Sequence, residues 1–89
     1  KYQQWTLFIV TNRSEDVCEA IARISNHGAT VLEGEGSYEH CERKVIYSVV
    51  SSQDTRKVIR EIQNVDPHAF INLVKTQELS GEFYRKKED

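Results

Sequence analysis

Eighty-nine residues, 38% hydrophobic and 29% charged, are enough for one folded domain and leave no room for a second. A formal net charge of -2 gives no reason to expect DNA or RNA, whose partners carry a basic excess on one face, so nucleic acid is set aside as a partner. No stretch approaches the roughly 18 consecutive apolar residues that cross a bilayer, and the two cysteines, Cys18 and Cys41, without a secretory leader, predict reduced thiols in the cytosol.

The chain starts at Lys1 and enters a strand-like run almost at once, which leads us to expect a piece of a longer protein. Residues 1–4 read as a lead-in, 5–76 as the domain and 77–89 as a polar tail. Trp5 to Val10 (W-T-L-F-I-V) is rich in β-branched and aromatic residues and ends at Thr11-Asn12-Arg13, which predicts a first strand. Ser14 stands at an N-cap position, Glu15 and Asp16 complement the helix dipole, and Val17, Ala20, Ile21 and Ile24 recur at helical spacing. A first helix follows, and Asn26-His27-Gly28 closes it with Gly28 expected in the left-handed conformation.

Ala29 to Glu35 and Arg43 to Val50 predict two further strands, joined by Gly36 to Glu42 as a hairpin connection. Ser51-Ser52-Gln53-Asp54 offers caps for a second helix with Val58, Ile59, Ile62 and Val65 inward and Arg56, Lys57, Arg60 and Glu61 outward. Asp66-Pro67 stops it, and Ala69 to Thr76 predicts a fourth strand. The tail Gln77 to Asp89, ending Arg85-Lys86-Lys87-Glu88-Asp89, is expected to be partly disordered.

The order β-α-β-β-α-β predicts an α+β ferredoxin-like sandwich, a four-stranded antiparallel sheet with two helices on one face. Both faces of that sheet are apolar. Trp5, Leu7 and Ile9 oppose Phe8 and Val10, Ile46 and Val50 oppose Val45, Tyr47 and Val49, and Ile71 and Leu73 oppose Phe70 and Val74. Two helices cover one face only, so the second is expected to be an interface, in a closed homo-oligomer or against another part of a longer polypeptide.

Gly34-Glu35-Gly36-Ser37-Tyr38 is the segment that fold-building alone does not ask for. Alternate glycines let a ligand approach the backbone or let the strand bulge, and Tyr38 adds a flat face with a hydroxyl. A bulged hairpin is the plainer of the two readings. With its flanks, the pattern A-T-V-L-E-G-E-G-S-Y, K-V-I-Y-S-V-V, V-D-P-H-A-F-I and G-E-F resembles the C-terminal cytosolic domain of the YitT-type bacterial membrane proteins, a domain family of unknown function. The likeness runs from Phe8 to Phe83.

That resemblance implies a ferredoxin-like fold related in shape to the PII signalling proteins, trimers that hold small effectors, typically nucleotides, in clefts between subunits beside the loop that joins the second and third strands. It implies a homo-oligomer, a trimer by analogy, with a small-molecule effector met at Gly34, Glu35, Gly36, Ser37 and Tyr38. It also implies an attached membrane-spanning portion and a place on the cytoplasmic face of the bacterial cell membrane. Where a further glycine is expected after Tyr38, this chain has Glu39-His40-Cys41-Glu42. Glu33, Glu35, Glu39 and Glu42 would repel a phosphate unless Arg43, Lys44 or a metal ion intervened.

His40 and Cys41 supply metal-ligating atoms, but adjacent ligands lack the separated pairs of a zinc centre, and neither a metal nor a cofactor is expected. His27 at a helix end and His68 after a proline read as surface residues. Cys18 reads as core edge, and Cys41 gains reactivity only if Arg43 and Lys44 outweigh the acids around it. No nucleophile-base pair emerges, and Arg85, Lys86 and Lys87 are diluted for lipid binding by Glu88 and Asp89. The leading expectation is a non-catalytic, ligand-sensing regulatory domain of a membrane protein. A purely structural oligomerisation module comes second, and a thiol or metal enzyme through His40 and Cys41 third.

Overall fold

A computed structural model describes residues 3–81. Its elements are β1 (Gln4–Thr11), α1 (Ser14–Ser25), β2 (Thr30–Glu35), β3 (Glu42–Ser51), α2 (Ser52–Val65) and β4 (Phe70–Lys75), in the expected β-α-β-β-α-β order. The strands form one antiparallel sheet, ordered β2-β3-β1-β4. The two most apolar strands, β1 and β3, are central, where both flanks are hydrogen-bonded and both faces can be covered. The expected sandwich is the fold this chain adopts.

The inward stripes of the helices meet one face of that sheet. Leu7, Ile9, Val17, Ile21, Ile46, Val50, Val58 and Ile62 form the core, each with no exposed surface, and Cys18, Ile24, Ile71 and Leu73 pack around it. Each such aliphatic side chain contributes about 1.5–3 kcal/mol by leaving water. Arg23 of α1 and Glu61 of α2 close the outer side of the helix pair at 2.8 Å.

Helix ends depart from expectation in two places. Arg13, not Ser14, is the N-cap of α1, and no side chain caps it, because Ser14 already lies in the first helical turn. At the other end Asn26 takes the left-handed conformation at φ 63°, in place of Gly28. Asn tolerates that region better than most residues. The chain then folds inward: the Ser25 hydroxyl donates to Ile21 O at 2.6 Å and accepts from His27 N–H at 3.2 Å, and the Ser48 hydroxyl donates to Gly28 O at 3.0 Å. His27 is consequently buried, with 3% of its surface exposed, which corrects its expected surface position. His68 is exposed as expected.

The second sheet face carries Phe8 and Val10, Val45 and Tyr47, Leu32, Phe70 and Val74, as the register of paired strands requires. Phe8 and Tyr47 are cross-strand partners with ring centroids 5.5 Å apart. This face is not bare throughout. Past β4, Thr76 N–H donates to Gln4 O at 3.0 Å, and Leu79, Ser80 and Gly81 share a cavity of 430 Å³ with Thr30, Tyr47 and Val49. Val49 on this face is 9% exposed, whereas Phe8, Leu32, Phe70 and Val74 stay exposed. Glu82 and Phe83 of the resembling pattern, and the charged cluster from Arg85, lie outside the described residues.

Candidate functional site

The Gly34 to Tyr38 segment runs off the edge strand β2 into the hairpin loop. Gly34 pairs with Arg43 and Glu35 with Glu42 with no residue left over, so the hairpin has no bulge, contrary to the plainer reading of the two glycines. Gly36 N–H donates to Cys41 O at 2.8 Å and His40 N–H donates to Gly36 O at 2.6 Å, which closes the loop. The left-handed residue that such a loop needs is His40, at φ 57°, standing where a glycine was expected. Its Nδ1 lies 2.9 Å from Glu35 Oε2, an exposed contact that steadies the loop.

Neither Gly34 nor Gly36 takes a positive φ. A Cβ on Gly34 would come no nearer than 3.4 Å to Arg43 O, and one on Gly36 no nearer than 3.7 Å to Cys41. The fold has room for alanine at both. Gly34 follows Leu32 on the open face of β2 and Gly36 continues that line, so the two leave a bare strip of backbone. Tyr38 stands beside it in the turn, 95% exposed, and Ser37 is exposed too.

The electrostatics are milder than the run of acids suggested. Glu33 is bound by Lys44 Nζ at 2.7 Å, and that hydrogen bond raises the lysine's pKa from 10.5. Glu35 is engaged by His40, and Glu39 accepts a long contact from Cys41 Sγ at 3.9 Å. His40 and Cys41 thus address different carboxylates, and among the described residues no three His, Cys, Asp or Glu side chains gather where they could hold one metal ion. Burial pushes the Cys18 thiol above its usual 9.0, away from the nucleophilic thiolate.

A second cluster went unread in the sequence. At the opposite end of β1 from Gln4, Thr11 and Asp66 are buried together and the Thr11 hydroxyl donates to Asp66 Oδ2. Asp66 Oδ1 accepts from His68 N–H at 3.0 Å, and Thr11 Oγ1 accepts from Arg13 N–H at 2.9 Å. The Thr11 hydrogen bond, helped by the His68 N–H and the Arg13 charge and opposed by burial, holds the Asp66 carboxyl below its ordinary 3.8. This knot ties the strand end before α1 to the end of α2. Thr11 and Asp66 are 55 residues apart, so no local pattern announced them. A cavity of 390 Å³ opens beside it, lined in part by Arg13, Arg43, His68 and Phe70.

A family profile described as an uncharacterized protein conserved in bacteria, DUF2179, matches residues 27–81, more than half of the chain. The chain belongs to this family. An uncharacterized protein in the cccA 5' region of Bacillus sp. strain PS3 is 32% identical over 78 residues, covering 88% of this chain and 52% of that protein. The UPF0750 membrane protein YitT of Bacillus subtilis strain 168 is 27% identical over 86 residues, covering 97% of this chain and 30% of that protein. The chain therefore spans about half the length of one relative and under a third of the other. No helix among the described residues is long and apolar enough to cross a membrane.

Solved structures agree on the fold. The DUF2179 protein from Eubacterium ventriosum shares 28% identity with a TM-score of 0.65, covering 80% of this chain and 97% of that one. CPII, a nitrogen regulatory PII-like protein from Thiomonas intermedia K12 solved with ADP, AMP and bicarbonate, shares 15% identity with a TM-score of 0.59 over 90% of this chain and 98% of that one. At that identity the second likeness is one of fold. The YitT-type resemblance read from the sequence is met, and the PII-like shape with it.

Proposed function

We propose that this domain is a non-catalytic regulatory module of a larger membrane protein, which meets a small ligand along Gly34, Glu35, Gly36, Ser37 and Tyr38 on the cytoplasmic side. The observation that carries this reading is that the fold has no need of the two glycines. A strand glycine such as Gly34 costs about 0.5–1 kcal/mol relative to alanine, and at neither Gly34 nor Gly36 do backbone angle, bulge or lack of space call for glycine. What the glycines provide is close access to an edge-strand backbone beside an exposed tyrosine. CPII, of the same fold, is described with ADP, AMP and bicarbonate, which makes nucleotides the first ligands to try.

The same reading assigns the exposed apolar residues Phe8, Leu32, Phe70 and Val74 to contact with further copies of the chain, a trimer by analogy with PII proteins. A closed ring of identical subunits offers each apolar patch a matching one and leaves none for uncontrolled association. One observation favours the alternative, a structural module without ligand: the loop closes on itself through Gly36, His40 and Cys41.

A thermal-shift screen of nucleotides, cyclic dinucleotides and divalent metals, repeated on Gly36→Val and Tyr38→Ala, separates the two. A nucleotide shift lost in both variants is expected; no shift from any compound leaves the structural module standing. Light scattering tests assembly on its own, and a monomer at high concentration sinks that part. Metal shifts that vanish in a His40→Ala, Cys41→Ser double variant would instead favour chemistry at that pair.

A further inference from the structure

Two arginines face the 390 Å³ cavity beside the Thr11–Asp66 knot, and neither has a carboxylate within ion-pair distance among the described residues. Arg13 donates one N–H to Val65 O at 3.0 Å, and Arg43 makes a long contact to Glu42 O at 3.4 Å. Most of their donors are therefore open. By contrast Arg23, Lys44 and His40 each sit on a glutamate. The one carboxylate lining the cavity, Asp66, is 6% exposed and already accepts from the Thr11 hydroxyl on one oxygen and His68 N–H on the other. Its charge lessens the field of Arg13 without pairing with it, so two guanidiniums against one engaged carboxylate leave the cavity positive.

Val10 and Phe70 supply the apolar part of the lining. Phe70 at the start of β4 is 67% exposed. The volume lies within the range of about 300–1,000 Å³ typical of small-molecule sites. Planar guanidinium forks match the geometry of carboxylate and phosphate oxygens, and a pair of them, one from the α1 N-cap and one from β3, fixes the orientation of such a group. The α1 N-terminus adds little, since Glu15 and Asp16 occupy its first turn.

We propose that this cavity binds a small organic oxyanion, its carboxylate or phosphate held by Arg13 and Arg43 and its carbon skeleton against the Phe70 ring. The proposal rests on the ligand-sensing reading and names the class of ligand sensed. The two regions are neighbours: a Cβ on Gly36 would lie 3.9 Å from Arg43 Cγ, so the bare strip borders the arginine stem. Glu33 and Glu35, two of the acids expected to repel such a ligand, are already engaged by Lys44 and His40.

Amide spectra of the ¹⁵N-labelled domain, titrated at low salt with phenyl phosphate, benzoate and inorganic phosphate, test it. Saturable shifts are expected at Arg13, Arg43, His68 and Phe70, with an aromatic anion binding more tightly than inorganic phosphate and all binding weakening with added salt. The tighter of phenyl phosphate and benzoate identifies the oxyanion. Arg43→Gln, whose side chain holds no structural contact of ordinary length, should weaken binding about tenfold or more, as loss of a charged hydrogen bond does. Arg13→Gln should do the same.

Absence of saturable shifts with all three probes, or affinities unchanged in both arginine variants, overturns the proposal. A neutral ligand whose thermal shift survives Arg43→Gln but not Tyr38→Ala would overturn it while leaving the sensing reading intact. Anion shifts lost in Arg43→Gln yet kept in Gly36→Val and Tyr38→Ala would support the cavity and remove the Gly34–Tyr38 strip.

Discussion

The two faces of one sheet are made from similar residues and end in different states. Ile9, Leu7, Ile46 and Val50 face the helices and lose all contact with water, whereas their strand neighbours Phe8 and Tyr47 remain more than a third exposed. Strand alternation sends equal apolar content to both sides, and only one side has helices to receive it. The fold of the single chain therefore covers one apolar face and leaves part of the other exposed.

The largest effect should come from the covered face. Ile46→Ala removes a fully buried side chain at the centre of β3 and should cost about 2–5 kcal/mol in urea unfolding, a large share of the stability of a small domain. On the open face, Phe70→Ser should change the stability of the single chain by about 1 kcal/mol or less, since the ring is mostly exposed. If the face is an interface, the same variant shifts the assembly toward smaller species in light scattering. A stability loss at Phe70 equal to that at Ile46, measured on monomer, would erase the contrast between the faces.

The Thr11–Asp66 knot should rank next. Thr11→Val leaves a buried carboxylate short of a donor and should cost about 1–3 kcal/mol at neutral pH. Because Asp66 is held below 3.8 in the folded chain, the folded state binds fewer protons than the unfolded one between those two values. That stability is fully present above pH 3.8 and is lost as the pH falls through the depressed folded value. Denaturation curves at pH 7 and pH 3 should therefore show the wild type losing more than Thr11→Val. Equal losses would show that the carboxyl is not depressed.

Smaller, and opposite in sign, is the effect expected at the bare strip. Gly36→Ala should raise stability by about 0.4–1 kcal/mol, because the Cβ fits and the unfolded chain loses freedom. A destabilised Gly36→Ala domain would mean that the hairpin needs the glycine and would remove the reason for assigning it to a ligand. Smallest of all, Arg23→Gln should cost at most about 0.5 kcal/mol, as exposed ion pairs do, and should fade with salt.

Much of the fold was legible without coordinates. Helical spacing of Val17, Ala20 and Ile21, and of Val58 and Ile62, set the two buried stripes, and the strand alternation in β1 and β3 assigned each residue to its face. The stop at Asp66-Pro67 also stands where it was placed. Of the candidate site, Gly34, Gly36 and Tyr38 were recognisable as unusual, but the bulge inferred from the glycines does not exist. Asn26 rather than Gly28 turns left-handed, and His40 does so where a glycine was expected, because hydrogen bonds around each residue select the turn.

What the sequence by itself determined is the element order, the sandwich and the apolar second face, all consequences of short-range periodicity and strand alternation. What only the tertiary structure decided is which charges meet. Lys44 lies on Glu33 across a strand pair, Thr11 on Asp66 across 55 residues, and Arg13 comes to share a cavity with Arg43. Such encounters depend on register and on how the α2–β4 connection packs against the end of β1. No spacing along the chain encodes them, since their partners are brought together by burial of the core beneath.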